Sequence, residues 1–175
     1  MGKDVLKDIL KGGLKIVFIG TAASDISASE KHYYSNPRNS FWKLLYETGL
    51  TDRQLSPKED YLLKDYGLGL TDVVKSEHGS DSKLSKESLV EGRKPLEAKI
   101  RKFSPSVMCF TSKKAYQSFF GRKAKSYGPQ QPLENSLSRV FIVPSSSPQV
   151  MSDRRLNGKT RLQWFKELAE FVRDE

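Results

Sequence analysis

The chain has 175 residues, 37% of them apolar and 29% charged, with 30 Lys and Arg against 21 Asp and Glu, 2 His and 1 Cys. That length fits one domain spanning 1–175, and an aromatic content of 10% with Leu, Ile and Val spread throughout excludes a disordered polymer. A lone cysteine excludes an internal disulfide, a thiolate zinc site and an iron–sulfur cluster, while a net charge of +9 points to a polyanionic partner, nucleic acid ahead of a membrane surface.

The opening MGKDVLKDILKGG mixes charge with apolar residues and lacks the continuous apolar stretch of a signal peptide, and no apolar run reaches membrane-spanning length. With Cys109 inside the apolar run VMCF, the expectation is a reducing, cytoplasmic compartment, nucleoid-associated in a bacterium.

The first strong element is LKIVFIG, Leu14 to Gly20, an apolar run that reads as a buried parallel strand. The small, polar residues from Thr21 to Ala28 then read as a loop at a strand's C-terminal end, where open α/β sheets place their ligands. From Asn39 to Gly49 the pattern is helical, and a second helix is predicted from Ser56-Pro57, with Glu59 completing a capping box, to Tyr66-Gly67. Gly69 to Val74 reads as a short strand, and 76–85 as a mobile polar loop. Helical spacing returns over Leu89 to Phe103. A strand at Val107 to Thr111, a helix at Ser112 to Phe120, a strand at Arg139 to Val143 and a helix at Thr160 to Arg173 complete the chain. Apolar strands alternating with helices predict a three-layer α/β/α sandwich around a small, mainly parallel sheet of about four strands.

Several ordered motifs carry a resemblance over Asp4 to Val172. They are IVFIG-TAAS at Ile16 to Ser24, NPRNSFWKLLYETGLTDRQLSP at Asn36 to Pro57, LLKDYGLGLTDVV at Leu62 to Val74, TSKKAY at Thr111 to Tyr116 and VPSSSP at Val143 to Pro148. In these the sequence resembles the mismatch-specific uracil-DNA glycosylases, the branch of the uracil-DNA glycosylase superfamily that includes thymine-DNA glycosylase. The resemblance implies the uracil-DNA glycosylase fold and a monofunctional enzyme. It would flip uracil out of DNA containing uracil or mismatches and hydrolyse the N-glycosidic bond, with no metal or other cofactor. A monomer is the simplest form for an enzyme that scans DNA.

The resemblance also distributes roles. Gly20, Thr21, Ala22 and Ser24 fall in the base-pocket loop, and Tyr34 falls at the stacking position, the alternative being plain packing under a loop. Asn39 has an amide suited to the edge of uracil, yet it is equally placed to cap a helix. Ala22 stands where many members carry the Asn that positions the attacking water, so another group must act or the chain is silent. Two carboxylates are candidates. Asp72 is favoured, because the resemblance implies that its segment reaches the pocket rim and because a carboxylate among apolar neighbours is costly unless used; Asp25 in the pocket loop is the alternative, and turn or cap roles are open to both.

After the last strand, Ser145 and Ser147 can donate hydrogen bonds, and Gln149, Val150 and Met151 fall where the family inserts a wedge into the duplex. Arg154 and Arg155 are candidate phosphate contacts or a solvated basic turn. The loop differs from the family's usual Asn-Pro-Ser-Gly, and no His follows the last strand, which makes the branch with a catalytic His there a poor match. An unrelated nucleotide-binding module is disfavoured because the loop after the first strand lacks G-x-G-x-x-G and P-loop patterns.

Residues 93–125 hold ten basic residues and one acid, Glu97, which accounts for the entire net charge. In a parallel layout Lys113 and Lys114 belong at the pocket face, whereas Lys99, Arg101 and Lys102 are expected toward the opposite end.

Overall fold

The computed structural model describes residues 4–174. Its centre is a five-stranded sheet in the order β2-β1-β3-β5-β4, built from β1 (Ile16–Gly20), β2 (Leu68–Asp72), β3 (Val107–Phe110), β4 (Gly128–Gln130) and β5 (Arg139–Ile142). The first three sequence-read strands and β5 run parallel; β4 pairs antiparallel with β5 and is a fifth strand beyond the four read from the sequence. The N-terminal segment covers the β2 edge through an antiparallel bridge between Ile9 and Leu70.

Helices occupy both faces. Phe18, Leu70 and Cys109 point one way and pack against α2 (Phe41–Glu47) and α6 (Arg161–Arg173), while Val17, Ile19 and Met108 point the other way and meet α3 (Lys86–Glu91), α4 (Arg93–Phe103) and α5 (Lys113–Phe120). Both sheet faces are therefore apolar, the expected condition of a parallel sheet between helix layers. Taking Phe41 to Ala from such a core costs about 3–5 kcal/mol.

Three local readings change. The small residues after β1 are not all loop: Asp25–Glu30 form α1, with Ser24 as N-cap accepting from Ser27 N at 3.1 Å, because a short helix held by its cap needs no apolar periodicity. Pro57–Tyr66 begins at the expected Ser56 capping box and stops at Gly67, but it winds as a 3₁₀ helix. The stretch from Leu89 to Phe103 is divided at Gly92 into α3 and α4. An added Cβ there would lie 2.0 Å from the Val73 carbonyl oxygen, so the backbone contact admits only glycine.

The polar segment 76–85 is tied down. His78 bridges to Ala23, Gly79 N donates to Ala23 O at 2.9 Å, and Asp81–Lys83 form a 3₁₀ turn. Lys99 also departs from its expected place. Its long side chain reaches up from α4 to Asp8, which Thr71 near the end of β2 also holds, whereas Arg101 bonds the Glu134 and Asn135 carbonyls below β5 as the layout predicts.

Candidate functional site

Strand periodicity assembles the site. Gly20 and Asp72 are register partners at the C-terminal ends of β1 and β2, and Thr111 follows β3 at the same height, its N–H donating to Ile19 O at 3.0 Å. With a side-chain period of two, Gly20, Asp72 and Thr111 share the sheet face that α2 and α6 cover. A cleft of about 690 Å³ opens above them, lined by all three and by Tyr34, Asn39 and Ser147.

Asp72 is only 6% exposed. Among the described residues none donates a hydrogen bond to its carboxylate, which faces the cleft across the space that a side chain at position 20 would fill. A Cβ on Gly20 would lie 2.6 Å from Asp72 Oδ1, with Thr111 Oγ1 at 3.6 Å and the Tyr34 hydroxyl at 3.7 Å, so these three oxygens surround one small volume. Burial pushes the Asp72 carboxyl up to about 6; Lys75 and Lys99 oppose the rise and Asp8 adds to it. Those lysines belong to a network beneath the site. Lys75 Nζ lies 2.9 Å from Asp8 Oδ1 and donates to the Tyr33 hydroxyl, Lys99 holds the other Asp8 oxygen, and Thr71 donates to Asp8.

Tyr34 adopts a left-handed backbone, φ 52°, uncommon for an aromatic residue. Trp42 Nε1 donates to its carbonyl at 3.3 Å, and its ring stacks on Phe41 at 4.0 Å and 18°. Its hydroxyl makes a long 3.5 Å contact with Thr111 Oγ1. Burial, followed by the charge of Asp72, holds its phenol well above the ordinary range. One ring face is therefore occupied by Phe41, and the residue lines the cleft.

Asn39 is not the N-cap of α2, which is Ser40, but stands one residue before it. Its Oδ1 accepts from Phe41 N at 2.9 Å at the start of α2, and the residue lines the cleft with its Nδ2 uncommitted among the described residues. Thr21, Ala22 and Ser24 also line it, Ser24 with its hydroxyl engaged as the α1 cap. Asp25 stands on the rim. Its side chain is 63% exposed, and Oδ1 lies 2.7 Å from His78 Nδ1.

The opposite wall is the loop after β5. Ser145 Oγ accepts from Ser147 N at 3.1 Å and Ser147 Oγ accepts from Gln149 N at 3.3 Å, which leaves each hydroxyl proton free to donate into the cleft. Arg161, which no sequence signal singled out, is buried behind this loop and binds its carbonyls.

A family model of the uracil DNA glycosylase superfamily matches residues 8–172. The chain belongs to the uracil DNA glycosylase superfamily. Members of that superfamily are N-glycosylases, hydrolases of the bond between base and sugar. A solution NMR structure of a Methanosarcina acetivorans protein, provisionally described as a uracil DNA glycosylase, is 22% identical and aligns over 96% of each chain with a TM-score of 0.60, a likeness of fold.

Around the cleft stand the residues that the sequence analysis expects to meet DNA. Gln149 lines it; Val150 and Met151 lie just beyond, and Met151 is 68% exposed. Lys113 and Lys114 open α5 on the cleft side but outside the lining, Lys113 with its ammonium 4.6 Å from the Tyr127 ring centre. Arg154 and Arg155 are exposed and also outside the lining, and Arg155 donates to Gln163 Oε1 at 3.0 Å. The sequence reading missed Thr111, Phe41 beneath Tyr34, and the exposed Arg38 at the cleft. Thr111 was legible in principle, since it has the same strand parity as Gly20 and Asp72. Among the described residues no group of three or more His, Cys, Asp or Glu could hold a metal ion, and no helix is long and apolar enough to cross a membrane.

Proposed function

We propose that this protein removes uracil from DNA, within the mismatch-specific branch of its superfamily, and that Asp72 is the catalytic carboxylate. The observation that carries the reading is the Asp72 side chain itself: a buried carboxylate, unpartnered among the described residues, at the floor of the cleft. An anion in so dry a place is costly unless a substrate completes it.

A base in a duplex is out of reach, so the nucleotide must be extruded into the cleft. The open face of Tyr34 stacks on it and the Asn39 Nδ2 reaches its edge. As the glycosidic bond breaks, its electron pair leaves with the base and the sugar acquires oxocarbenium character. The ionised Asp72 stabilises that charge and takes a proton from the water whose oxygen bonds to the sugar carbon. The Ser145 and Ser147 hydroxyls supply donors for the departing anion, and Gln149, Val150 and Met151 fill the vacated stack. Apolar side chains suit that task. Lys113, Lys114, Arg154 and Arg155 are assigned to phosphates.

Uracil-containing duplex incubated with the protein and then treated with alkali tests this directly. Strand cleavage at the uracil is expected, and its absence with DNA binding retained would reject excision. Uracil opposite G, uracil opposite A, single-stranded uracil and thymine opposite G, run in parallel, define the substrate range. A lesion binder that does not excise is the second reading, favoured by Ala22 in the place of the water-positioning Asn.

A further inference from the structure

Arg161 is the first residue of α6, only 4% exposed, with no acidic partner among the described residues. A buried cation in the first turn of a helix is disfavoured twice, by desolvation and by the helix dipole. Burial accordingly pulls its guanidinium below its ordinary value. Its compensation comes from four oxygens. Nη1 donates to the carbonyls of Ser145 and Ser147, both at 3.2 Å, and of Val150 at 3.0 Å, while Nη2 donates to Ser40 Oγ at 3.0 Å. Beside this, Ser40 N donates to Ser146 O at 3.0 Å.

The two ends of this connection have different tasks. The loop carries Gln149, Val150 and the exposed Met151. Ser40 lies between Asn39, which faces the cleft, and Phe41, which supports Tyr34. We infer that Arg161 is a positioning residue that locks the 145–151 loop to the base pocket, so that filling the duplex and seating the extruded base occur at a fixed separation. The inference rests on the glycosylase reading above. It requires Arg161 to matter for duplex substrates and much less for single strands, which leave no hole to fill.

The test compares Arg161→Met, Arg161→Lys and Ser40→Ala with the wild type in single-turnover excision of uracil from a duplex and from the same strand alone. Hydrogen exchange of the amides from 145 to 151 is measured in parallel. Misplacing the wedge in Arg161→Met lowers the duplex rate about 10²-fold while the single-strand rate changes less than about threefold. Arg161→Lys and Ser40→Ala shift the ratio the same way by less, and they carry the test should the Met variant not fold. The loop amides exchange faster in all three variants, with β1 and β3 unchanged. Equal losses on both substrates, or unchanged loop exchange, overturn the inference. A wild type inert on both substrates sinks the glycosylase reading instead; loop exchange alone then decides whether Arg161 locks the loop.

Discussion

Asp72 and Asp25 border the same cleft, yet the fold treats them in opposite ways. Asp72 ends β2, an edge strand covered by the N-terminal segment, is stripped of water and has no donor among the described residues; Asp25 begins a short surface helix, is bathed in solvent and holds His78. An exposed ion pair contributes about 0.2–1 kcal/mol. The buried carboxylate costs the fold free energy. Asp25 lies nearer the first motif along the sequence, but the environment supports the proposal that Asp72 is the acting carboxylate.

The sharpest way to break this contrast is to remove each carboxylate. Asp72→Ala is expected to lower single-turnover excision by about 10²- to 10⁴-fold, and Asp25→Asn by less than about threefold. The reverse order of losses would transfer the role to the rim. Gly20→Ala comes next, because its Cβ must displace Asp72 Oδ1, 2.6 Å away; the expected loss is about tenfold to 10²-fold with folding retained by circular dichroism.

The pH profile sharpens the comparison further. A carboxyl raised to about 6 is neutral below that pH, so the excision rate should climb through pH 6 and level off above it. A profile flat from pH 5 to 8 would contradict a required Asp72 anion. The same shift acts on stability. Because the folded value exceeds the ordinary 3.8, Asp72 imposes no penalty below that pH and progressively destabilises the fold as pH rises through 6, by about 3 kcal/mol at completion. Asp72→Asn should therefore raise Tm at pH 7.5 by about 6–12 °C, with the gain gone at pH 4. The smallest effect is expected at the rim, where His78→Ala should change Tm by no more than about 4 °C.

The inner strands were legible because burial on both faces writes itself as apolar runs, and α2, α5 and α6 through the three- and four-residue spacing of their apolar residues. β4 was not. Its sequence, Gly-Pro-Gln, has no strand pattern, and Pro is tolerated only because the strand lies at the edge. The winding of 57–66 as 3₁₀ escaped because Ser56 and Gly67 mark the ends of either helix type. At the site, Asp72 was visible as a charge among apolar neighbours and Tyr34 through its motif. Arg161 was invisible because a local sequence cannot distinguish a buried guanidinium from a solvated one; the three carbonyls that hold it belong to a loop brought there by tertiary folding.

The glycine between α3 and α4 has a φ of −70°, a conformation open to any residue. By helix propensity alone, Gly92→Ala is an attractive stabilising substitution. Here the added methyl would be driven into the carbonyl of Val73, the residue that follows Asp72, and the strain would be passed along the backbone to the carboxylate. Thermostabilising this protein by joining its two helices would thus disturb the Asp72 carboxylate, from a position that never touches the cleft.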